Sequence, residues 1–458
     1  ISPYIARTDA VVGDTSGAKR WISGGGSWTT NNFERERDGL YGALQWKKDA
    51  LSSHLTYFRS KYDMSTTEAA LSASANPATI MLDPGAVFDD RGVLLAGTIR
   101  APKDPGVGIG TDSRSTGRTS DTRDVAWNLQ WRATDQWVFS GDLQHTRATT
   151  DGYDNTVGMG AYAPKEGVDF RSSPPKLTFD DADRAFLANP NNYYWGFTQE
   201  HRDEAVAAQN AARLDAKFTF DSPVLNDLRF GVRFTNRSAE TRATHGNNQW
   251  HEITQPWAVG SDGWQPFSKL AYLSDPRFAG NASAVPFNNF FGGKVATPPS
   301  IVVPNLSLSQ GTPPPGFTQL HDMVKVLCNG TCSGDALWNY ALFGDPESRN
   351  LQHEKTKALY AQLRFGFDDL KYPVDGSIGI RYVKTDSTAY GYTVFTPNLP
   401  TIPAGVNVVG IDTIPNIAAF ANRQNFDNSY HNVLPSLNLR MKPRDDLQFR
   451  FALAKAMS

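Results

Sequence analysis

Few residues of the sequence have the types and spacing that catalysis or metal binding requires. His251 and Glu252 begin the pattern of a helical zinc protease, but the second histidine that would complete it is missing. Gly106, Gly108 and Gly110 lie in a stretch rich in Pro, Gly and Ser that no helix is expected to follow, so a dinucleotide-binding fingerprint is not indicated. The other histidines are scattered, and no nucleophile–base pair is evident. We therefore predict a protein that is not an enzyme and that uses no metal and no cofactor.

Two short clusters carry side chains of the ligand type. Cys328 and Cys332 are separated by three residues, without a nearby histidine, which is poor spacing for zinc. In an oxidising compartment this spacing predicts a local disulfide, and the alternative is two free thiols. Asp180, Asp181 and Asp183 offer oxygen ligands of the kind that Ca²⁺ prefers, but a solvated acidic turn is the simpler interpretation.

Aromatic side chains are concentrated in the segments between the predicted strands. Large flat rings can stack on the apolar faces of sugars and of aromatic ligands at small entropic cost. Rings in long loops can equally pack the loops against one another. Both interpretations stay open, and the candidates for ligand binding are Tyr193, Tyr194, Trp195, Trp250, Trp257 and Trp264.

The composition excludes several classes of protein. The 458 residues include 45 Lys+Arg and 47 Asp+Glu, and the formal net charge of −2 argues against binding nucleic acid through a basic surface. Aromatic residues make up 12% of the chain, so it is not disordered by composition. No stretch reaches the ~18–20 apolar residues of a membrane helix. A membrane β-barrel is not excluded, because barrel strands alternate in polarity and leave the average hydropathy low.

The strongest structural signal is a period of two residues, which places successive side chains on opposite faces of a strand. Val125, Trp127, Leu129 and Trp131 form one apolar row with polar residues between them. The same pattern predicts ten strands in five hairpins, with apolar rows within 40–46 and 51–57, 125–131 and 137–143, 214–220 and 228–234, 359–367 and 378–382, and 433–441 and 447–453.

The connections between these strands alternate in length. Links within a hairpin are short, whereas links between hairpins cover roughly 64–120, 150–205, 241–352 and 391–428. All long connections must then leave the sheet at one end. Such long loops are uncommon in compact soluble domains, whereas short turns at one rim and long loops at the other are typical of outer-membrane barrels. Within the longest connection, a helical patch is expected near 317–342.

Two features favour lipid on the apolar face and water on the polar face. Long charged side chains on the polar face suit the wet interior of a wide barrel, and they are Arg132, Lys217, Arg229, Arg233, Arg364, Arg381, Arg440 and Arg450. Aromatic residues at the short-turn ends suit an interfacial girdle, and they are Trp46, Trp131, Trp137, Phe220, Phe367 and Phe449. The alternative is a soluble β-protein, which would enclose between two sheets Trp127, Leu129, Phe139, Phe218, Phe230 and Phe365.

Several segments resemble the barrel strands of a known family. Residues 430–440, Tyr-His-Asn-Val-Leu-Pro-Ser-Leu-Asn-Leu-Arg, and residues 444–458 resemble late barrel strands of TonB-dependent receptors. The resemblance is closest to the large group found in Caulobacter- and Xanthomonas-like proteobacteria. Residues 376–386 and 40–46 are similar to earlier strands of the same group.

The resemblance implies an all-β fold, an antiparallel transmembrane barrel of twenty-two strands whose lumen is closed by an N-terminal plug domain. It also implies a place in the bacterial outer membrane, in contact with its lipid, and energy coupling by the TonB–ExbB–ExbD complex through the plug. The chain runs from Ile1 to Ser458 and is expected to be an internal piece, a partial barrel of about ten or more strands without the plug and without the C-terminal strands. Unpaired strand edges are expected near 36–47 and 447–458.

The function implied by the resemblance is active uptake of a scarce nutrient. An oligosaccharide is the expected ligand and a ferric siderophore is the main alternative. The loop aromatics favour a sugar, whereas the arginines of the polar face favour an anion, either an acidic sugar or an iron chelate. A soluble carbohydrate-binding protein and a passive porin-like barrel are the alternatives from other classes.

Overall fold

The structure is a computed structural model. It describes residues 4–23, 25–74, 76–102, 106–244, 250–253, 270–295, 297–327, 338, 340, 343, 348–395 and 418–457. The strands, numbered along the chain, are β1 (Ile5–Arg7), β2 (Arg20–Ile22), β3 (Gly25–Lys48), β4 (Leu51–Ser74), β5 (Met81–Leu82), β6 (Val87–Phe88), β7 (Leu94–Arg100), β8 (Val107–Arg132), β9 (Trp137–Ala163), β10 (Glu166–Asp169), β11 (Lys176–Thr178), β12 (Tyr194–Thr219), β13 (Leu225–Ala243), β14 (Trp250–Glu252), β15 (Ala282–Pro286), β16 (Ser300–Pro304), β17 (Arg349–Phe367), β18 (Val374–Phe395), β19 (Phe420–Arg444) and β20 (Leu447–Ala454). The helices are α1 (Asp181–Leu187) and α2 (Pro315–Leu327), with 3₁₀ turns at Pro190–Asn192 and Leu306–Leu308.

Ten long antiparallel strands form the main sheet. Their spatial order is β20-β19-β18-β17-β13-β12-β9-β8-β4-β3, and β14 pairs with the upper part of β12 outside this path. The ten strands and five hairpins predicted from the alternation are confirmed, and each predicted pair of apolar rows lies in register across its hairpin. Among the described residues, β3 and β20 are the two edges of the sheet, as predicted.

All short connections lie at one end of the sheet and all long connections at the other. The short turns are 49–50, 133–136, 220–224, 368–373 and 445–446. The long connections are shorter than predicted, because the strands continue well beyond their apolar rows. They cover 75–106, 164–193, 244–348 and 396–419. In these strand extensions one face is covered by the long connections, so the clear alternation of apolar and polar residues that marks the lower halves is lost.

The apolar rows of the lower strands are exposed on one face of the sheet. Leu214 is 63% exposed and Ile378 is 54% exposed. None of the six residues that a soluble core would enclose is buried, and Trp127 is 42% exposed. The soluble alternative is therefore wrong. An extended apolar face of this size belongs to an interface with lipid or with another apolar surface.

Two of the aromatic residues predicted at the short-turn ends, Trp131 and Trp137, contact further rings of their own and neighbouring strands. The Trp137 ring lies 5.6 Å from the Phe139 ring and 4.8 Å from the Phe218 ring, measured between centroids. Trp131 extends the group through Phe139, at 5.7 Å. These rings form a band at one limit of the apolar rows, which is the arrangement of an interfacial girdle.

The upper limit of the apolar rows runs diagonally across the strands. The cross-strand row that contains Val125 in β8 reaches Asp386 in β18 after five pairing steps. In β18 the apolar row begins only at Tyr382, four residues lower. At 3.4 Å per residue and 4.8 Å per strand, a band parallel to a membrane would require a strand tilt of about 30°. This tilt is close to that of outer-membrane barrels.

Above the apolar rows, the same face of the sheet is covered by the long connections. A small sheet of order β11-β10-β7-β5, to which β6 adds at β7, packs there with the hairpins β1–β2 and β15–β16 and with both helices. Buried residues of the main strands, such as Leu71, Ile109 and Val157, join this core. Polar side chains also join the main strands to this layer, since Ser113 Oγ donates to the Pro304 carbonyl at 2.5 Å and Asn155 Nδ2 donates to the Ser309 carbonyl at 3.0 Å.

The helix expected near 317–342 is present as α2 and ends at Leu327, where the described residues are interrupted. Within the described ranges, neither helix has the length and apolar content that a membrane crossing requires.

Candidate functional site

The face opposite the apolar rows, here called the inner face, carries the charged side chains predicted to line a lumen. The register places on it Arg132, Lys217, Arg229, Arg233, Arg364, Arg381, Arg440 and Arg450. Among the depressions of this face, two are lined by several charged side chains. One lies beside the long connections and is here called the upper cleft; the other lies among the lower strands and is here called the lower depression.

The upper cleft has a volume of about 430 Å³ and is formed by the upper parts of β3, β4, β8, β9 and β12. Its principal polar side chains are Glu68, Asp112, Arg114, Asp154, Gln199 and His201. Arg114 lies at the centre. Its guanidinium binds both oxygens of Asp154, at 2.7 and 2.5 Å, and reaches Glu68 at 3.1 Å.

Asp112 is the carboxyl group of the cleft that has no charged partner in contact. Burial raises its pKa from 3.8 to about 6, and repulsion by Glu68 adds to the rise, while attraction to Arg114 opposes it. The cleft therefore presents fixed carboxylates, a guanidinium and a carboxyl group that changes protonation in mildly acidic conditions. Such groups donate and accept hydrogen bonds and suit a ligand with many hydroxyl groups.

An aromatic pair adjoins the upper cleft. Trp250 in β14 lies directly opposite Gln199 in β12, and its ring stacks on the Phe197 ring at a centroid distance of 3.8 Å and an angle of 16°. The side chain of Trp250 remains 38% exposed. Gly158 leaves the space that the Phe197 ring occupies, because a Cβ at this position would collide with that ring. An exposed indole beside polar groups offers a stacking surface for the apolar face of a sugar ring.

The lower depression has a volume of about 660 Å³ and spans the strands from β8 to β19. Its wall is strongly basic, and the side chains that define it are Arg213, Lys217, Arg229, Arg233, Arg381 and Tyr360. Arg213 pairs with Asp142 and Asp215, each at 2.9 Å. Lys217, Arg233 and Arg381 form no ion pair with any residue in the described ranges.

A glycine fixes the floor of the lower depression. Gly231 in β13 lies between Asp215 in β12 and Tyr360 in β17 in one cross-strand row. The Tyr360 hydroxyl donates a hydrogen bond to Asp215 across this strand. A Cβ at position 231 would collide with Asp215 Oδ1 and with the Leu214 carbonyl, so only glycine leaves space for this bond.

The structure distributes the sequence-predicted site residues over different environments. Tyr193 and Trp195 are buried in the core of the long connections, and Tyr194 is buried against the rings of Tyr162 and Tyr272. Of the predicted ligand-binding aromatics, Trp250 has the accessible position described above, while Trp257 and Trp264 lie outside the described residues. Cys328 and Cys332, the predicted disulfide, also lie outside them.

Other predicted polar groups have structural partners. Arg229 and Arg364 both pair with the buried carboxylate of Asp227, at 2.7 and 3.2 Å, and Arg440 pairs with Asp375 at 2.8 Å. At the start of α1, Asp180 caps the helix by accepting a hydrogen bond from the Asp183 amide at 2.9 Å. Within the described ranges, no group of three or more His, Cys, Asp or Glu side chains is arranged to hold a metal ion.

Sequence reasoning missed the upper cleft and the floor of the lower depression. Asp112, Arg114 and Asp154 lie in polar stretches that the sequence placed in loops. Tyr360 belonged to a predicted strand, but its contact with Asp215 depends on the pairing of three strands. A signal was present in the alternation of Asp112, Arg114 and small residues in β8, which is a strand pattern without large apolar members.

Comparison with known proteins agrees with this architecture. The family described as TonB dependent receptor-like, beta-barrel matches residues 161–458, which is more than half of the chain. No curated protein matches at a significant level.

Two solved structures of the ferric-catecholate import receptor Fiu from E. coli K12 are similar to the chain. The open form is 9% identical and has a TM-score of 0.36, over 94% of this chain and 54% of that chain. The closed form is 10% identical and has a TM-score of 0.32, over 92% of this chain and 50% of that chain. The chain thus spans about half the length of these receptors. From the family match, the chain belongs to the TonB-dependent receptors and contributes strands of their antiparallel β-barrel.

Proposed function

We propose that the protein is an outer-membrane receptor for the active uptake of a scarce nutrient, and that this nutrient is an oligosaccharide. The observation that carries the proposal is the two-sided main sheet. One face presents an exposed, tilted apolar band, and the opposite face is polar from the upper cleft to the lower depression. In a closed barrel the first face meets lipid and the second surrounds an aqueous path.

The upper cleft supports a carbohydrate ligand. It combines the exposed ring of Trp250 with the side chains of Gln199 and His201, and sugars are recognised by stacking together with hydrogen bonds to hydroxyl groups. Three carboxyl groups, Glu68, Asp112 and Asp154, surround the single guanidinium in this cleft. These groups supply acceptors and donors for the hydroxyl groups of a sugar.

A ferric siderophore is the second candidate, and one observation favours it. The lower depression is strongly basic and would attract an anionic iron chelate as readily as an acidic sugar. The lower depression is therefore compatible with both candidate ligands, whereas the upper cleft favours the oligosaccharide.

The complete receptor in this proposal includes parts that the described sheet does not. A plug domain fills the lumen, further strands join β3 and β20 to close the barrel, and the TonB–ExbB–ExbD complex moves the plug. Outer-membrane lipid surrounds the apolar band. The ten-stranded open sheet supports the proposal, since strand edges cannot remain unpaired in hydrocarbon.

The proposal is tested with the intact receptor in its own host. We expect its expression to rise during growth on a plant or algal glycan, and we expect purified receptor to bind fragments of that glycan by calorimetry. Trp250→Ala should weaken binding by about tenfold, because a stacking contact of about 1 kcal/mol is lost together with the apolar area that the indole and the sugar bury. Tyr41→Ala, in the edge strand β3 and 64% exposed, is the matched aromatic control. Induction by iron starvation alone would overturn the sugar assignment in favour of the siderophore.

A further inference from the structure

We infer that the lower depression binds an anionic group of the transported ligand, so that the preferred substrate is an acidic oligosaccharide that carries carboxylate or similar groups. The inference rests on the proposed function and specifies its substrate class.

Like charges face each other across neighbouring strands of this wall. Lys217 lies directly opposite Arg229, and Arg213 lies directly opposite Arg233, in the register of β12 and β13. All four side chains belong to the same face of the sheet. Like charges in directly opposed positions destabilise a strand pair. Two such pairs lie on either side of the row formed by Asp215 and Gly231, and they concentrate positive charge on this wall despite their cost to stability.

The carboxylates near this wall are already occupied. Asp142 and Asp215 bind Arg213. Asp227 binds Arg229 and Arg364.

The remaining cations of the wall are not neutralised in this way. Lys217, Arg233 and Arg381 line the depression without an ion pair among the described residues. Their charges are directed to a concave surface, where an anion would offset the repulsion between opposed cations.

The floor of the depression is rigid enough to place these cations. The hydrogen bond from Tyr360 to Asp215 passes across Gly231 and ties β12 to β17, and Arg381 lies directly opposite Tyr360 in β18. Asp215 is held in turn by Arg213 at 2.9 Å. Tyr360 and Arg213 both engage Asp215, so its carboxylate is already paired and the unpaired cations remain available to a ligand.

The experiment uses the intact receptor with Lys217→Gln and Arg233→Gln combined. Lys357→Gln is the matched control, because Lys357 is an exposed cation on the opposite face in the same region. The probes are tetragalacturonate and the neutral cellotetraose, and both binding and uptake are measured. We expect the double variant to lose about tenfold or more of its affinity for tetragalacturonate, because charge-assisted hydrogen bonds are lost. Its affinity for cellotetraose should stay within about twofold.

The possible outcomes are distinguishable. Wild-type receptor that takes up cellotetraose but not tetragalacturonate would overturn this inference and leave the proposed function in place. Wild-type receptor that takes up neither would also overturn this inference, and induction by iron starvation alone, found together with that result, would overturn the sugar assignment of the proposed function as well. A double variant that admits large antibiotics and loses both substrates would show that these cations hold the plug, against the inference. If the double variant does not fold, Arg381→Gln alone gives the same comparison with one charge removed.

Discussion

Asp112 shows how the upper cleft responds to pH at the scale of one residue. It lies on β8 well above the apolar rows, and burial is the main reason that its pKa rises from 3.8 to about 6. The folded state therefore binds this proton more tightly than the unfolded state does. The favourable contribution of the protonated group to the free energy of unfolding is fully present below about pH 4, and it is lost as pH rises through about pH 6. At neutral pH the ionised group costs up to about 3 kcal/mol.

Asp112→Asn removes this cost without changing the shape of the side chain. We expect the variant of the intact receptor to be more stable than wild type at neutral pH, by up to about 3 kcal/mol, and equally stable near pH 4. Urea unfolding in detergent micelles, followed by tryptophan fluorescence at both pH values, measures the difference. Asp154→Asn is the control in the same cleft. It breaks the bidentate pair with Arg114 and should destabilise the protein at neutral pH. A destabilised Asp112→Asn at neutral pH would contradict the assignment.

The strand is the element on which the two faces of the protein depend. Adjacent residues in β18 illustrate this, since Ile378 projects from the exposed apolar face and Ser377 contacts Gln362 on the inner face, at 3.4 Å. One position along the strand separates the exposed apolar face from the polar inner face. A register shift by one residue would exchange the two environments for every side chain of the strand.

This alternation predicts a large difference between two neighbouring substitutions. Ile378→Arg places a charge in the apolar band and should cost about 2–4 kcal/mol, whereas Ser377→Arg extends into an aqueous interior and should cost less than about 1 kcal/mol. Equilibrium folding of the intact receptor into lipid vesicles, with heat-modifiable gel mobility as the readout, compares them. Equal costs at the two positions would mean that the faces are assigned wrongly.

The sequence predicted the lower halves of the strands well and their upper halves poorly, for a physical reason. Residues such as Trp127 and Leu214 must be apolar because of the exposed face they occupy, so the period of two is visible in isolation. Ser113 and Asn155 occupy the same face higher up, but they are buried against the Pro304 and Ser309 carbonyls, and polar residues suit that surface. Such contacts arise between segments far apart in the chain, and local patterns carry no signal of them.

The candidate site divides in the same manner. Lys217 and Arg233 were predicted on the polar face because the strand period alone places them there. The path from Tyr360 to Asp215 across Gly231 requires the relative register of three strands, one of which follows a long connection. The depression they form could therefore not be derived from any single segment.

At the scale of the whole molecule, the main sheet is open. Among the described residues, β3 pairs along its length only with β4, and β20 pairs only with β19. Each free edge carries backbone N–H and C=O groups without partners. In hydrocarbon every such group costs several kcal/mol, so membrane-spanning sheets close into barrels. The apolar band thus favours insertion in lipid, whereas the open edges disfavour insertion when this chain is separated from further strands.

We expect residues 1–458 produced alone to aggregate in water and to form no sealed pore. The exposed apolar face drives association in water, and the unpaired edges prevent stable insertion in lipid. Refolding into vesicles loaded with a fluorescent dye, followed by gel mobility with and without heating, tests both parts, and the intact receptor treated in the same way is the control. The isolated chain should show no heat-modifiable band, while the intact receptor should show one. A monodisperse soluble monomer, or a heat-modifiable monomer in vesicles, would contradict this expectation. It would show that these ten strands satisfy their own edges and that no additional strands are required.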